Sequence, residues 1–392
     1  MFSIGGVAQS YAWGSTDAIP AILGREPDGR PLAEFWYGAH PLGDSPVGDG
    51  SRTLSATVAA DRSILGEATA DYFDGRLPYL VKFLSAGSPL SLQAHPTRAQ
   101  AELGYARESL QGIPVDAPDR SFRDDWPKPE TIIALTPFEG LLGFRDPIRS
   151  AELFEGLGVD GAIASVIGPL RLRDATPALQ EVFLDVLSLG ERRHLVDEVL
   201  AAAVRHLDEP GELGIFAKTA VELDEHFPGD PSILAALLLN RFSLEPGESV
   251  CLDPGVMHAY LRGTAIEVMG NSDNVLRGGL TRKHIDVDAL LQVVRFEPEE
   301  VRILTSYGAD GLYQYPTTAH EFEVWLIQPV GEFAVEVPRA DAGRIVVSAK
   351  GSFRLEGDTE LDVPQGGAAF IPAGEQVHAR GQGMLFAIAP GI

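Results

Sequence analysis

Residues 89–97 read Pro-Leu-Ser-Leu-Gln-Ala-His-Pro-Thr. Successive side chains of an extended chain point to opposite faces, so Ser91, Gln93 and His95 share one face. An amide beside an imidazole, closed off by Pro96, is a pairing that can hold a metal ion. Three further stretches offer partners. Asp-Asp-Trp-Pro-Lys-Pro-Glu at 124–130 sets Lys128 and Glu130 two residues apart, with Pro129 favouring an extended or edge conformation. Leu-Asp-Pro-Gly-Val-Met-His at 252–258 places His258 after a Pro-Gly turn that leads into a strand. Residues 265–286 supply Glu267, Asp273, Arg277 and Lys283 within a short span.

Gln93, His95, Glu130 and His258 would make a set of four nitrogen and oxygen donors. Two imidazoles and a carboxylate suit zinc or a similar divalent ion. A neutral amide as fourth ligand leaves the centre with a net charge of about +1, so the ion stays a strong Lewis acid. Spacing alone does not join residue 93 to residue 258. Read in isolation, His95 is more simply a hydrogen-bonded histidine ahead of a proline.

Composition bounds the setting. The chain has 392 residues, 45% of them hydrophobic and 22% charged, enough for a soluble protein with a sizeable core. One cysteine, Cys251, excludes an intramolecular disulfide framework and suits the reducing cytoplasm. The first fifteen residues have neither a basic lead nor an apolar core, so no signal peptide is expected. No apolar run approaches the roughly 20 residues of a membrane span. The net charge of −25 argues against nucleic acid and anionic membranes as partners, because both demand clustered cations. A phosphorylated substrate would need a local gathering of Lys and Arg against that field.

The elements that must position these groups follow from periodicity. Residues 1–145 hold short apolar runs such as Tyr79–Ala86, broken by Gly and Pro, and read as strands and turns. From Asp146 the spacing becomes helical: Leu179, Val182, Phe183, Val186 and Leu187 form one stripe, and Leu195 to Leu207 carry a second. Thr176-Pro177 and Asp230-Pro231 pair a capping residue with a proline at the first helical position. Strand patterning returns after Pro246-Gly247, where residues 248–270 read as strand, turn, strand with Arg262-Gly263 as the second turn. The order is β-rich, helical, β-rich, as if a helical block were inserted into one β scaffold.

Ser-Leu-Gln-Ala-His-Pro, Lys-Pro-Glu, Pro-Gly-Val-Met-His-Ala-Tyr-Leu-Arg-Gly and Gly-Asn-Ser-Asp-Asn-Val-Leu-Arg-Gly-Gly-Leu-Thr-Arg-Lys occur in this order. Together with Tyr-Ala-Trp-Gly-Ser at 11–15 and Ala-Glu-Phe-Trp-Tyr-Gly-Ala-His-Pro at 33–41, they resemble the type I mannose-6-phosphate isomerase family over residues 1 to about 290. The resemblance implies a mainly β fold with a helical insertion: two cupin-type double-stranded β-helix (jelly-roll) barrels plus an α-helical domain. On that pattern 1–145 and 246–295 form a metal-binding catalytic barrel, 146–245 the insertion, and 296–392 a metal-free barrel. It further implies one Zn2+ per chain on Gln93, His95, Glu130 and His258, and interconversion of mannose 6-phosphate with fructose 6-phosphate. Two positions depart from the family. Pro127, preceded by Trp126, stands where the family has a histidine linked to opening the sugar ring, and Arg282 replaces a proline.

Moving a carbonyl between C1 and C2 needs a proton carried between neighbouring carbons through an enediol. Glu267, on the strand after His258, is the first candidate for that base. Asp273 is a second proton-handling candidate, although Asn-Ser-Asp-Asn also reads as a turn. The fixed charge of Arg277 can stabilise an enediolate or grip phosphate. Lys128 and Lys283 could hold hydroxyls or phosphate, and Ser91 the substrate. Lys82, inside an apolar run, is costly unless paired, which marks it as functional. His40 reads as structural, His284 as a neighbour of the site, and His194, His206 and His226 as surface or helix-end residues. His378 imitates a cupin metal position without a second histidine. Trp13, Trp36, Trp126 and Trp325 read as core. A small sugar phosphate is the expected partner and a monomer or weak homo-oligomer the expected state. A different metal-dependent sugar isomerase or epimerase on the same barrels, and a non-catalytic sugar-phosphate-binding cupin, are the competing readings.

Overall fold

Strand Tyr79–Ala86 is buried along its whole length, which explains its unbroken apolar run. One face presents Tyr79, Val81 and Phe83 to a core shared with Phe35, Tyr37 and Ile266 and, from the C-terminal part, Val324 and Ile345. The other face carries Leu80, Lys82 and Leu84 toward the functional site. This computed structural model describes residues 1–159, 161–331 and 333–392, with the backbone alone at 162, 191 and 192. Among them, two large antiparallel sheets of twelve and eleven strands are joined by several helices.

The twelve-stranded sheet runs along the path Leu304–Thr305, Glu248–Leu252, Glu130–Ala134, His258–Gly270, Tyr79–Ala86, Glu34–His40, Val7–Gln9. His258–Gly270 is its organiser. Its second half pairs with Tyr79–Ala86 and Glu130–Ala134, while its first half pairs with Phe138–Phe144 and, through His258, with Gln93. The turn expected at Arg262-Gly263 is instead a bend inside one thirteen-residue strand. Gly263 holds φ at +118°, and a Cβ there would lie 2.7 Å from the Phe138 backbone, so a glycine is required.

The eleven-stranded sheet is built mostly from the C-terminal segment, but its neighbours include Phe2–Ile4, which pairs with Ala368–Ile371. The N-terminal strand thus lies in the sheet of the last hundred residues, and Ile4 joins the core between the sheets.

The helical stripes fall on Ala175–Leu187 and His194–Val204, although the second helix stops short of Leu207, which is exposed beyond its end. The caps differ. Asp174 occupies the N-cap of the first, which puts Thr176-Pro177 inside its opening turn, where a missing N–H costs nothing. Pro231 itself is the N-cap of Ser232–Ala236, and Asp230 accepts from the Ser232 N–H at 2.9 Å. Strand structure resumes at Leu239–Leu244, before Pro246, in register with Phe138–Phe144. A helix at Arg98–Leu110 went unread in the sequence although Thr97 and Gln100 form a capping box.

Phe83 is fully buried between the sheets. Phe83→Ala should destabilise the fold by about 3–5 kcal/mol, read as a lower urea midpoint with the unfolding slope unchanged.

Candidate metal centre

His95, Glu130 and His258 each place a ligand atom within 4.8 Å of the others, and all three are buried. Strand pairing brings them together from three distant stretches. His258 opens its strand directly opposite Gln93, and Gln93 also faces Arg277 of Leu276–Gly279. Glu130 starts the neighbouring strand opposite Met269. The turn before His258 depends on Gly255 at φ +85°, whose N–H donates to the His95 carbonyl at 2.8 Å.

Both imidazoles are oriented by main-chain carbonyls. His95 Nδ1 lies 2.7 Å from the Asn274 oxygen and His258 Nδ1 lies 3.1 Å from the Val256 oxygen. In the neutral tautomer Nδ1 donates there, leaving each Nε2 lone pair free. His95 Nε2 lies 3.4 Å from Glu130 Oε1, and His258 Nε2 lies 3.5 Å from Glu130 Oε2. His95 Nε2 is buried without a hydrogen-bond partner. Two imidazole nitrogens facing one carboxylate at a buried site fit a divalent ion.

The electrostatics agree. Burial pushes His258 down to about 4, with His95 adding to the shift and Glu130 opposing it. Burial would raise Glu130, yet Lys128, His95 and His258 hold it well below the usual carboxylate range. The Lys128 ammonium lies 3.1 Å from Glu130 Oε1. Farther in, Lys82 Nζ lies 2.6 Å from Glu267 Oε2 and 3.4 Å from Glu34 Oε1. Burial favours neutral Lys82, but Glu267, Glu34 and Glu130 outweigh it and hold its pKa above the ordinary lysine value. Burial raises Glu267, Lys82 opposes, and Glu130 and Glu34 add to the rise. Three carboxylates against two ammonium groups leave one negative charge in this cluster, a further reason that a cation fits.

Of the eleven side chains singled out from the sequence, all but His95 line one cavity of about 700 Å³. His95 is buried and outside that lining. Arg277, Lys283 and Arg123 gather at this cavity. Burial first, then repulsion among these cations, lowers Arg277 and Lys283, with Asp273 partly offsetting the effect at Arg277. The local positive charge that a phosphorylated ligand requires is therefore present in a strongly acidic chain.

Several lining residues were not recognised in the sequence. The Tyr260 hydroxyl donates to Glu267 Oε1 at 2.8 Å, and Trp36 Nε1 donates to Glu34 Oε2 at 2.7 Å. Parity was the available signal: Tyr260 lies two residues after His258, and Trp36 stands in register with Lys82, itself opposite Glu267. Trp13 and Trp36, read as core, reach the cavity. So does His40, read as structural, whose Nε2 lies 3.7 Å from Asp273 Oδ1. Trp126 lies outside this lining, its ring covered by Arg76 and Arg98 at 4.2 and 4.7 Å.

A family model for the type I phosphomannose isomerase catalytic domain matches residues 1–147. The chain is 36% identical over 387 residues to mannose-6-phosphate isomerase of Escherichia coli (strain K12), covering 96% of each. It is 32% identical over 420 residues to that of Homo sapiens, covering 96% of this chain and 94% of the other. The chain belongs to the mannose-6-phosphate isomerase family. Among solved structures of the family, the apo form from Salmonella typhimurium superposes with a TM-score of 0.88 at 32% identity, covering 100% of this chain and 99% of that one. A mannose 6-phosphate isomerase bound with zinc and yttrium matches with a TM-score of 0.88 at 33% identity over 100% of both chains. Among the described residues no helix is long and apolar enough to cross a membrane.

His258 and His40 are both held down to about 4, chiefly by burial, whereas unfolding returns them to about 6.5. Between these values the unfolded chain binds more protons, so stability falls as pH drops through that window. Chemical denaturation of metal-free protein should show a loss on the order of a few kcal/mol from pH 6.5 to 4.

Proposed function

We propose that the chain is a zinc-dependent aldose–ketose isomerase that interconverts mannose 6-phosphate and fructose 6-phosphate through a cis-enediol. One observation carries the reading: the buried His95, Glu130 and His258 donor atoms converge beside a cavity whose wall also holds a Glu–Lys–Glu cluster and the cations Arg277, Arg282 and Lys283. Family membership, and the zinc bound by a structural neighbour, support it.

In this reading one zinc ion is held by His95, Glu130, His258 and the amide oxygen of Gln93. When bound, the ion supplies Lewis acidity that polarises a sugar oxygen and weakens the neighbouring C–H bond. Every other step falls to side chains. Glu267 takes the proton from C2 of the aldose and returns it to C1, while the hydroxyl proton of O2 passes to O1 so that the C2 carbonyl and C1 hydroxyl form together. The raised pKa of Glu267 brings its carboxyl nearer the working pH, and Tyr260 and Lys82 fix its two oxygens. Arg277 and Lys283, with Arg282 beside them, hold the phosphate, which the fixed fork of arginine suits well. Lys128 and Ser91 hold sugar hydroxyls, and Asp273 handles the proton moved when the ring opens. We read the two sheets as cupin-type barrels, with the helices between Pro147 and Ala236 as an insertion in the metal-binding one.

In a coupled assay, mannose 6-phosphate should turn over while mannose, glucose 6-phosphate and ribose 5-phosphate react far more slowly. A preference for an unphosphorylated sugar would remove the phosphate-binding role of Arg277 and Lys283. Glu267→Gln should keep its zinc and lose about 10²–10⁴-fold in kcat, the range expected for a missing general base. A near-normal rate in that variant would assign the base elsewhere.

A further inference from the structure

Asn274 is fully buried and makes more hydrogen bonds than a turn residue needs. Its main-chain oxygen meets His95 Nδ1 at 2.7 Å. Its side-chain Oδ1 accepts from the Arg123 and Asp124 N–H groups at 2.7 and 3.2 Å. Its Nδ2 donates to the Asp124 and Trp126 main-chain oxygens at 2.8 and 2.9 Å, and to Asp124 Oδ1 at 3.1 Å. The amide orientation is unambiguous, because one end meets only donors and the other only acceptors.

Ser272 and Asp124 complete the knot. Ser272 Oγ donates to Asp124 Oδ1 at 2.7 Å and approaches the Trp126 oxygen at 3.1 Å, and Asp124 Oδ2 accepts from the Asp273 N–H at 2.7 Å. Segment 123–126 leads directly into Lys128 and Glu130. Segment 272–274 carries Asp273 and leads into Arg277.

We propose that Asn274 is a positioning residue that ties the metal-binding histidine to the substrate-facing wall. Its carbonyl fixes the His95 imidazole, and its carboxamide fixes the strap that places Arg123 and Lys128. The inference rests on the functional reading above and adds to it a physical link between metal affinity and substrate affinity. Without the carboxamide, the loop that presents the carbonyl to His95 loses its anchor on the strap. Metal and sugar phosphate should then weaken together. Partners that orient metal ligands through such contacts typically contribute 10–100-fold in metal affinity.

The test compares wild type, Asn274→Ala and Ser272→Ala. Zinc affinity is read by competition with a chromogenic chelator, without substrate, and KM and kcat are read at saturating zinc. Asn274→Ala should weaken zinc by about 10–100-fold and raise KM even when the metal is saturating. Ser272→Ala removes one contact between loop and strap and also the acceptor of the Asn274 N–H at 3.2 Å, so it should raise KM and weaken zinc together, each by less than Asn274→Ala does. If Asn274→Ala does not fold, Asn274→Asp keeps the acceptor, loses both donors, and should show the same paired losses. An Asn274 variant that folds with wild-type zinc affinity, or a Ser272→Ala enzyme with unchanged KM, overturns the inference. Wild-type protein that binds no zinc would instead sink the functional reading.

Discussion

Everything at the site depends on one buried carboxylate held between two imidazoles at the wall of a cavity. Glu130 faces His95 Nε2 and His258 Nε2 at 3.4 and 3.5 Å in a buried pocket. A buried carboxylate is costly, and a buried imidazole resists protonation. Lys128 steadies Glu130, and two main-chain carbonyls fix the rings so that their bare nitrogens face inward. The cluster keeps a residual negative charge that a divalent cation would reverse. The apo fold is therefore primed for a metal by its own charge and hydrogen-bond requirements.

Strand parity builds that arrangement. Along His258–Gly270, Ile266 and Val268 point into the core between the sheets, while Glu267 points to the cavity. Shifting this strand by one residue would exchange those faces, burying the carboxylate in the core and exposing the core residues. Register is held by the pairing of Glu267 with Lys82 on one side and Ile132 on the other. The same pairing sets the Lys82–Glu267 ion pair, so the geometry that stabilises the sheet also orients the Glu267 carboxylate. Such a buried pair does little for net stability, since desolvation offsets most of its attraction.

Much of the site was legible because chemistry-bearing residues came in short extended runs where parity is informative. Ser91, Gln93 and His95 shared a face in the sequence, and Lys82 stood out as a charge in an apolar run. The long-range assembly was not legible from spacing. Nothing in a single sequence says that residue 93 pairs with residue 258; only the resemblance to a family joined them. Tyr260, Glu34 and Trp36 escaped notice because each looks like ordinary strand material until its cross-strand neighbour is known. The bend at Gly263 passed for a turn because a glycine after an arginine signals both. The pairing of Phe2–Ile4 with Ala368–Ile371 was not legible, because three residues carry too little pattern to specify a partner sheet.

The most direct test of the account is anomalous diffraction at the zinc absorption edge from crystals of the zinc-loaded protein. One strong peak should appear about 2.0–2.2 Å from His95 Nε2, His258 Nε2, a Glu130 oxygen and the Gln93 amide oxygen. A peak elsewhere, or zinc-loaded crystals with no peak among these four residues, would contradict it.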